Sequence, residues 1–262
     1  MKKLLTLFFV LPPVFFAVCQ PNSRDDKLVI SSALYTWKDP NEKGKNIRTA
    51  KLFEGSACDM EYLRMEAVSL VRSRRRTIFH VPADQEQLLI VKSGTLKISI
   101  RDSSWIIGPA SIALLMPSEN YGLQNPNKNL SEYYVMKYRS KLPVDVSRGQ
   151  AAGGSFVKNR DSLDFKPNER GGTRRYFERS TAMCKRFEMH VTTLNEGLKS
   201  HDAHTHRAEE IIVVIENKTE MQIGNQRLKG KAGDVYFMGS NILHGIRNDG
   251  KGSCSYFAFQ FE

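Results

Sequence analysis

The sequence predicts an all-β protein made of two tandem β-barrel domains. Segments of the second half repeat segments of the first half at a constant offset of 123 residues, as from Glu86 to Glu209. Apolar runs of strand length recur in both halves, and residues 211–215 form the most strongly β-branched of them. No stretch keeps the helical period of 3.6 residues beyond about two turns. The composition, 40% hydrophobic and 26% charged residues, is that of a globular protein.

The repeat indicates a tandem duplication. The pairs at the offset of 123 are 86–91 with 209–214, 121–125 with 244–248, and 133–136 with 256–259. Further upstream, residues 40–44 match residues 167–171 at the slightly longer offset of 127. Matches at one register over about fifty residues identify two copies of one structural unit.

Each half is predicted to consist of short strands separated by turns. Residues 96–100 alternate apolar and polar side chains, as half-buried strands do. Turn residues separate the strands, at Gly94, Gly108-Pro109, Gly224-Asn225 and Asn248-Asp249-Gly250. We therefore divide the chain into an N-terminal domain of residues 28–140, a polar linker of residues 141–172 with little strand character, and a C-terminal domain of residues 173–262.

The N-terminus has the pattern of a secretory signal peptide. Lys2 and Lys3 precede an apolar segment, residues 4–18, that is too short to span a membrane. We expect cleavage of residues 1–19 between Cys19 and Gln20 and export to the periplasm or the medium. Lipidation of Cys19 is the alternative.

The charge balance excludes little by itself. The 39 Lys and Arg residues against 28 Asp and Glu residues give a net charge of +11, which falls to +9 without Lys2 and Lys3. The sequence has no nucleic-acid-binding motif, so we expect a small, anionic substrate rather than nucleic acid. The densest basic run could steer such a substrate or form a solvated loop face, and it comprises Arg72, Arg74, Arg75 and Arg76.

The remaining cysteines, Cys58, Cys184 and Cys254, have no CxxC spacing, which excludes a zinc ribbon. One disulfide with a free thiol, or three buried thiols, are the open alternatives.

A cluster of metal-ligating residues lies in the second half. His204 and His206 are two residues apart, so on an extended segment they point to the same face, and Glu210 follows at even spacing. His244 comes after the strand-like residues 235–237 and could join the cluster from a neighbouring strand. Three imidazoles and a carboxylate suit a divalent transition metal, namely Mn, Fe, Co, Ni or Zn.

These residues resemble the two motifs of the cupin superfamily. Residues 204–210, His-Thr-His-Arg-Ala-Glu-Glu, match the first motif, and Gly233, His244 and Asn248 stand at the matching places of the second. The departures are Gly239 for a proline and Asn241 and Asn217 for glycines, and they affect turns rather than ligands. The resemblance implies a bicupin of two jelly-roll barrels with a metal in the mouth of the C-terminal barrel.

The first half lacks the ligands. The residues at the equivalent positions are Val81, Ala83, Gln87 and Tyr121. Valine and alanine cannot bind a cation, so we expect a metal-free N-terminal barrel that is a packing partner or holds an organic ligand. His80 is one residue out of register and would point to the opposite face of its strand. A metal in the C-terminal barrel alone is similar to the architecture of ureidoglycine aminohydrolase-type bicupins.

Three further residues lie near the predicted ligands in the sequence or on a predicted strand before them. We expect His201 to lie in a loop at the barrel mouth. His190 would be either a pocket-facing residue or a satisfied core histidine, and we favour the core. Glu209 neighbours Glu210 on a strand and should point away from the metal.

Three functional hypotheses follow from the resemblance. The first is a metal-dependent cupin enzyme acting on a small oxygen-rich or carboxylate substrate, with dioxygenase, isomerase, decarboxylase and hydrolase chemistry all open. The second is a non-catalytic exported protein that binds a sugar or small acid and has a structural metal. A storage or scaffold protein is a third, and exposed strand edges suggest a homodimer.

Overall fold

The computed structural model describes residues 28–40 and 45–262, so the predicted signal peptide lies outside the described residues. Within this part of the chain there are twenty β-strands, one α-helix and one short 3₁₀ helix. This confirms the prediction of an all-β protein. No helix in the described ranges is long and apolar enough to cross a membrane.

Each half of the chain contributes its own set of strands. Those of the first half are β1 (Ala33–Tyr35), β2 (Ile47–Gly55), β3 (Met60–Leu70), β4 (Thr77–His80), β5 (Glu86–Ser93), β6 (Leu96–Ile100), β7 (Ser103–Ile107), β8 (Ile112–Leu115), β9 (Asn120–Gln124) and β10 (Ser131–Ser140). Those of the second half are β13 (Gly171–Arg179), β14 (Phe187–Leu194), β15 (Glu209–Glu216), β16 (Lys218–Ile223), β17 (Gln226–Lys231), β18 (Val235–Met238), β19 (His244–Asn248) and β20 (Cys254–Phe261).

The segment expected to be a linker is more structured than its composition indicates. It contains α1 (Val146–Ala151), β11 (Phe156–Lys158), the 3₁₀ helix Arg160–Ser162 and β12 (Lys166–Asn168). Strands of three residues are too short to show an alternating pattern in the sequence, and β11 is ordered by its pairing with β8.

The strands form two units of two sheets each. The N-terminal unit has a six-stranded sheet, β11-β8-β5-β10-β3-β2, and a four-stranded sheet, β4-β9-β6-β7. The C-terminal unit has a seven-stranded sheet, β1-β18-β15-β20-β14-β13-β12, and a three-stranded sheet, β17-β16-β19. All strand pairs within these sheets are antiparallel.

The duplication is visible strand by strand. β5 and β15 begin and end at positions 123 residues apart, as do β8 and β18. β2 and β13 are 124 residues apart at both ends, and each carries a register shift at the equivalent place, between Lys51 and Phe53 and between Arg175 and Phe177. A shared bulge position indicates that the two units keep the same local bend.

The two halves exchange one strand each. β1, from the first half, pairs with β18 of the C-terminal unit, while β11, from the linker, pairs with β8 of the N-terminal unit. The two pairings have the same register, because Ala33 lies opposite Phe237 and Phe156 lies opposite Leu114. Each unit therefore contains a strand that the other half of the chain supplies.

A serine fixes each exchanged strand. The backbone N–H of Gly239 donates to Ser32 Oγ at 2.9 Å, and the backbone N–H of Met116 donates to Ser155 Oγ at 3.0 Å. The two bonds occupy equivalent positions of the repeat, so both copies keep the same attachment.

One apolar core joins the units, and each barrel has a second core of its own. The shared core lies between the six-stranded and seven-stranded sheets and contains large side chains of both, such as Tyr134, Tyr138, Phe187 and Phe257. β5 and β15 are buried along both faces because one face packs on this shared core and the other on a barrel interior. β6 alternates between buried and partly exposed residues because it has one face toward solvent.

Removing either serine should destabilise the whole chain. We expect Ser32→Ala and Ser155→Ala each to lower the free energy of unfolding by about 1 kcal/mol, because each change leaves a strand-end N–H without its acceptor. Chemical denaturation measures the change, with Ser103→Ala as the control since Ser103 is exposed on β7. Variants that unfold like the control would show that the serines do not hold the exchanged strands.

Candidate metal site

The structure brings together all four residues that the sequence singled out. His204 and His206 lie on the segment before β15, Glu210 is the second residue of β15, and His244 begins β19. The backbones of His204 and His244 form an antiparallel bridge, with N–H to carbonyl distances of 3.0 and 2.9 Å. The ligand nitrogens of the three histidines lie within 4.8 Å of one another.

Backbone carbonyls fix the orientation of two of the imidazoles. Nδ1 of His206 lies 2.8 Å from the carbonyl oxygen of Ala208, and Nδ1 of His244 lies 2.7 Å from that of Ile242. A carbonyl oxygen only accepts hydrogen bonds, so Nδ1 carries the proton in both rings. The neutral form of each ring then presents a lone pair at Nε2.

Both lone pairs face one carboxylate oxygen. Oε2 of Glu210 is 3.3 Å from Nε2 of His206 and 3.0 Å from Nε2 of His244. Neutral imidazole nitrogens and a carboxylate oxygen repel at these distances unless protons or a cation lie between them. A single ion with bonds of about 2.1 Å to each donor would set neighbouring donors about 3 Å apart. The donor set therefore fits a divalent transition metal.

The electrostatics of the cluster also suit a cation. Burial alone raises the pKa of Glu210, but the hydrogen bonds and positive charge that His206 and His244 provide when protonated outweigh it and lower that pKa to about 2. The Glu210 carboxylate in turn raises the pKa of His206. Burial, with the neighbouring histidines, lowers the pKa of His204, which keeps its imidazole neutral and able to bind a metal.

A cavity of about 190 Å³ extends from the cluster into the C-terminal barrel. Its described lining residues are His190, Thr192, Ser200, His201, His204, Glu210, Ile212, Met221, His244, Gly245, Ile246, Tyr256, Ala258 and Gln260. None of these is a lysine or an arginine. The exposed basic run from Arg72 to Arg76 precedes β4 in the other unit and does not line this cavity.

The segment beside the cavity is less regular in the C-terminal unit than in the N-terminal unit. In the N-terminal unit β4 pairs with β9, and its residue Phe79 stacks on Tyr121 with ring centroids 5.2 Å apart. The residue equivalent to Phe79 is the exposed Asp202, in a segment that makes only isolated bridges to β19. The segment still lies along β19, where the N–H of Ser200 donates to the carbonyl of Ile246, so His244 is buried while His201 and His204 are exposed.

The N-terminal barrel is filled where the other is open. Val81 and Tyr121 pack into its apolar interior, and Tyr121 donates a hydrogen bond to Gln87 Oε1 at 2.8 Å. That bond takes the place of the contact between His244 and Glu210. Ala83 is exposed, and His80 points outward to Asn120. These residues cannot make a metal site.

His201 and His190 both line the cavity. His201 is exposed at the mouth, with its ring centroid 4.3 Å from that of His204. The expectation that His190 is a satisfied core histidine is wrong, because its side chain lines the cavity and has no hydrogen-bond partner among the described residues. Periodicity could place His190 on a strand but could not show which face of the strand borders a void.

Glu209 points away from the metal cluster, as predicted. Its Oε1 accepts a hydrogen bond of 2.6 Å from the backbone N–H of Cys58, in the other unit, while its Oε2 is buried without a partner. The equivalent Glu86 accepts from the N–H of Ala182 and from the hydroxyls of Thr181 and Tyr138. Glu209 lacks these hydroxyls because Ala57 and Phe261 stand in the equivalent places.

The departures from the cupin pattern keep the geometry that glycine would serve. Asn217 and Asn241, which replace glycines, have φ values of 65° and 60°. Asparagine tolerates this left-handed region better than other non-glycine residues. Asn248 holds the loop after β19 through bonds from its Nδ2 to the carbonyls of Leu194 and Gly252.

Two of the cysteines are settled by the structure. Cys184 and Cys254 are free thiols and both are buried, so they do not pair with each other.

Comparison with known proteins supports the cupin assignment for part of the chain. The family model described as cupin domain matches residues 190–259, which include all four candidate ligands. No curated protein sequence matches this chain significantly.

Solved structures share the fold over most of the chain. The putative glyoxylate-induced protein from Pseudomonas aeruginosa aligns with a TM-score of 0.67 and 14% identity, covering 92% of this chain and 93% of that one. Ylba from E. coli gives 0.66 and 17%, covering 91% and 95%. Oxalate decarboxylase from Lactobacillus farciminis, as a formate complex, gives 0.63 and 12%, covering 88% and 86%. At these identities the likeness shows the cupin fold and no more.

The four residues should bind metal as one unit. We expect His206→Ala and His244→Ala to lose stoichiometric Mn²⁺, Fe²⁺, Ni²⁺ or Zn²⁺, and affinity in the wild type to fall as protons compete below the raised pKa of His206. Elemental analysis after dialysis measures the metal. Tyr121→Ala, the equivalent of His244→Ala in the other barrel, is the matched control and should keep it. If Tyr121→Ala also lost the metal, the loss would not be specific to the four candidate ligands, and this assignment of the site would be wrong.

Glu209 should make stability depend on pH. Burial raises its pKa to about 7 from an ordinary value of 4.5. The folded state therefore holds a proton that the unfolded chain releases, and the free energy of unfolding should decrease as pH rises from about 4.5 to about 7, by about 3 kcal/mol. Chemical denaturation at several pH values, with a chelator present to remove metal, measures how the free energy of unfolding depends on pH.

Glu209→Gln should flatten that dependence, whereas Glu169→Gln, at an exposed position, should leave it unchanged. An unaltered slope in Glu209→Gln would assign the pH dependence to other groups.

Proposed function

We propose that the protein is an exported bicupin enzyme that uses a divalent transition metal to act on a small, oxygen-rich substrate. The two cupin units would be residues 28–140 and 173–262, and only the second would hold metal. The observation that carries the proposal is the convergence of two carbonyl-anchored imidazoles on one oxygen of Glu210, at the open mouth of a cavity.

The ligands would be His204, His206, Glu210 and His244. A bound ion would supply Lewis-acid or redox chemistry to an oxygen-bearing ligand. The chain would contribute the rest. The carbonyls of Ala208 and Ile242 hold the imidazoles in the tautomer that leaves Nε2 free.

The cavity sets the size and charge of the substrate. A volume of about 190 Å³ suits a molecule of a few carbon atoms rather than a sugar polymer. Because none of the described lining residues is Lys or Arg, a carboxylate of the substrate would have to be balanced by the metal. The names of two structural neighbours, an oxalate decarboxylase bound to formate and a glyoxylate-induced protein, agree with small oxoacids as a class.

Export rests on the predicted leader, residues 1–19, which ends beside Cys19. Processing at this point would deliver the enzyme to the periplasm or the medium, and mass spectrometry of the mature N-terminus distinguishes cleavage from lipidation. A homodimer would form through strand edges that the two units leave unpaired.

The alternative is a binding protein with a structural metal, and coordination distinguishes the two. A structural site is closed by protein donors, whereas a catalytic site keeps an exchangeable position. A six-coordinate ion such as Mn²⁺, Fe²⁺ or Ni²⁺ would keep two positions beyond the four protein donors, and the adjoining cavity would give a substrate access to them, which favours the open site.

An open position should be visible in the Mn²⁺-loaded protein. We expect the bound ion to enhance the relaxation of water protons, and we expect millimolar glycolate to reduce that enhancement by displacing water. His244→Ala, which cannot complete the site, should show neither effect, and Tyr121→Phe should show both. A stoichiometric metal without water enhancement would support the binding protein instead.

A further inference from the structure

The wall of the metal cavity contains an imidazole with no assigned role. His190 lies on β14, opposite Ala258 of β20 and Arg175 of β13. Its neighbours Met189 and Val191 pack into the shared core between the sheets, so the alternation of the strand turns His190 toward the barrel. There it borders both the metal cavity and an outer groove of about 360 Å³.

The N-terminal unit shows what normally satisfies a polar group at this position. The residue equivalent to His190 is Glu66, which is buried and forms ion pairs with Arg64 and, at 2.7 Å, with Lys137. All of its charge is compensated within the protein.

Within the described part of the chain, the C-terminal unit has no counterpart of these ion pairs around His190. Gln260 stands where Lys137 does and lies 3.2 Å from Nε2 of His206, so its amide is directed at the metal cluster. His190 is left without a hydrogen-bond partner among the described residues. Its ring nitrogens are therefore available to a ligand or a water molecule that enters the cavity.

The chemistry of His190 selects the ligand group. Burial lowers its pKa, while Glu188 and Glu210 act against this and Arg175 acts with it. A neutral imidazole offers one donor and one acceptor, and a hydroxyl group matches both. A carboxylate can only accept, and no described residue that lines the metal cavity is a cation that would compensate its charge. Lys166 and Arg175 line the outer groove instead, where Arg175 is paired with Glu178.

We propose that His190 binds an uncoordinated hydroxyl group of a metal-bound substrate and makes the site selective for chelating acids that carry a further hydroxyl over those that carry a methyl group or a second carboxylate in its place. This inference rests on the proposed function. It assigns the substrate two parts, a carboxylate with an adjacent oxygen toward the metal and a hydroxyl-bearing carbon toward β14. His190 would be a specificity-determining residue.

Three acids test this directly, because they share the same chelating end and differ in one group. D-Lactate, D-glycerate and tartronate each offer a carboxylate and an α-hydroxyl, and they carry a methyl, a hydroxymethyl and a second carboxylate respectively. Calorimetry on the Mn²⁺-loaded full chain gives the three affinities. We expect D-glycerate to bind about tenfold more tightly than D-lactate, as one net hydrogen bond allows, and tartronate to bind more weakly than D-glycerate.

Variants separate His190 from the other polar groups of the cavity. His190→Leu should make D-glycerate and D-lactate bind equally while metal content stays at the wild-type value. His190→Gln, which keeps a donor and an acceptor, should restore part of the preference. His80→Leu removes an exposed imidazole of the metal-free barrel and should change neither affinity.

The results distinguish a failure of the proposal for His190 from a failure of the proposed metal-dependent function. A wild type that retains metal but binds the first two acids equally, or a His190→Leu variant that keeps the preference, would overturn the role of His190 alone. A wild type that retains no metal would overturn the proposed function and this inference with it.

Discussion

The exchange of strands between the two halves is the constraint on which the rest of the structure depends. β1 completes the sheet that carries Glu210, and β11 completes its counterpart, so neither unit has all its strands without the other half. The shared core between the two large sheets then fixes their faces, because the same strands that bury Phe187 or Phe257 on one side present cavity residues on the other. The site is positioned by packing that reaches through the sheet into the other unit.

Within that frame the two copies have diverged in opposite ways. In the N-terminal barrel β4 pairs with β9 at the mouth, and Tyr121 donates a hydrogen bond to Gln87 at the positions equivalent to His244 and Glu210. In the other barrel the segment equivalent to β4 is irregular, the four candidate ligands converge, and the ion pairs around Glu66 have no counterpart among the residues that the structure describes. A stable, filled partner allows its neighbour to leave polar groups such as His190 exposed to a cavity.

The sequence was informative where the types and spacing of nearby residues determine a strand or a ligand position. The repeat and the β-branched runs predicted the all-β fold, and spacing predicted that His204, His206, Glu210 and His244 could meet, which their geometry shows. The sequence was uninformative where contacts with residues distant in the sequence determine the structure. β11 is too short for a pattern, the exchange of strands leaves no local signal, and the role of His190 depends on Gln260 and on a void that no periodicity encodes. The leader and the metal itself stay predictions.

The pairing of β1 with β18 also has a consequence for how the chain is made. Ala33 lies opposite Phe237, so β1 has no partner in its sheet until the chain has been synthesised as far as β18. Contacts this distant in sequence slow folding, because a long loop must close before they stabilise anything. During that interval β1 is an unpaired edge, which is the kind of segment that chaperones shield from aggregation. The larger sheet of the C-terminal unit therefore cannot be completed before β18 has been synthesised and has paired with β1.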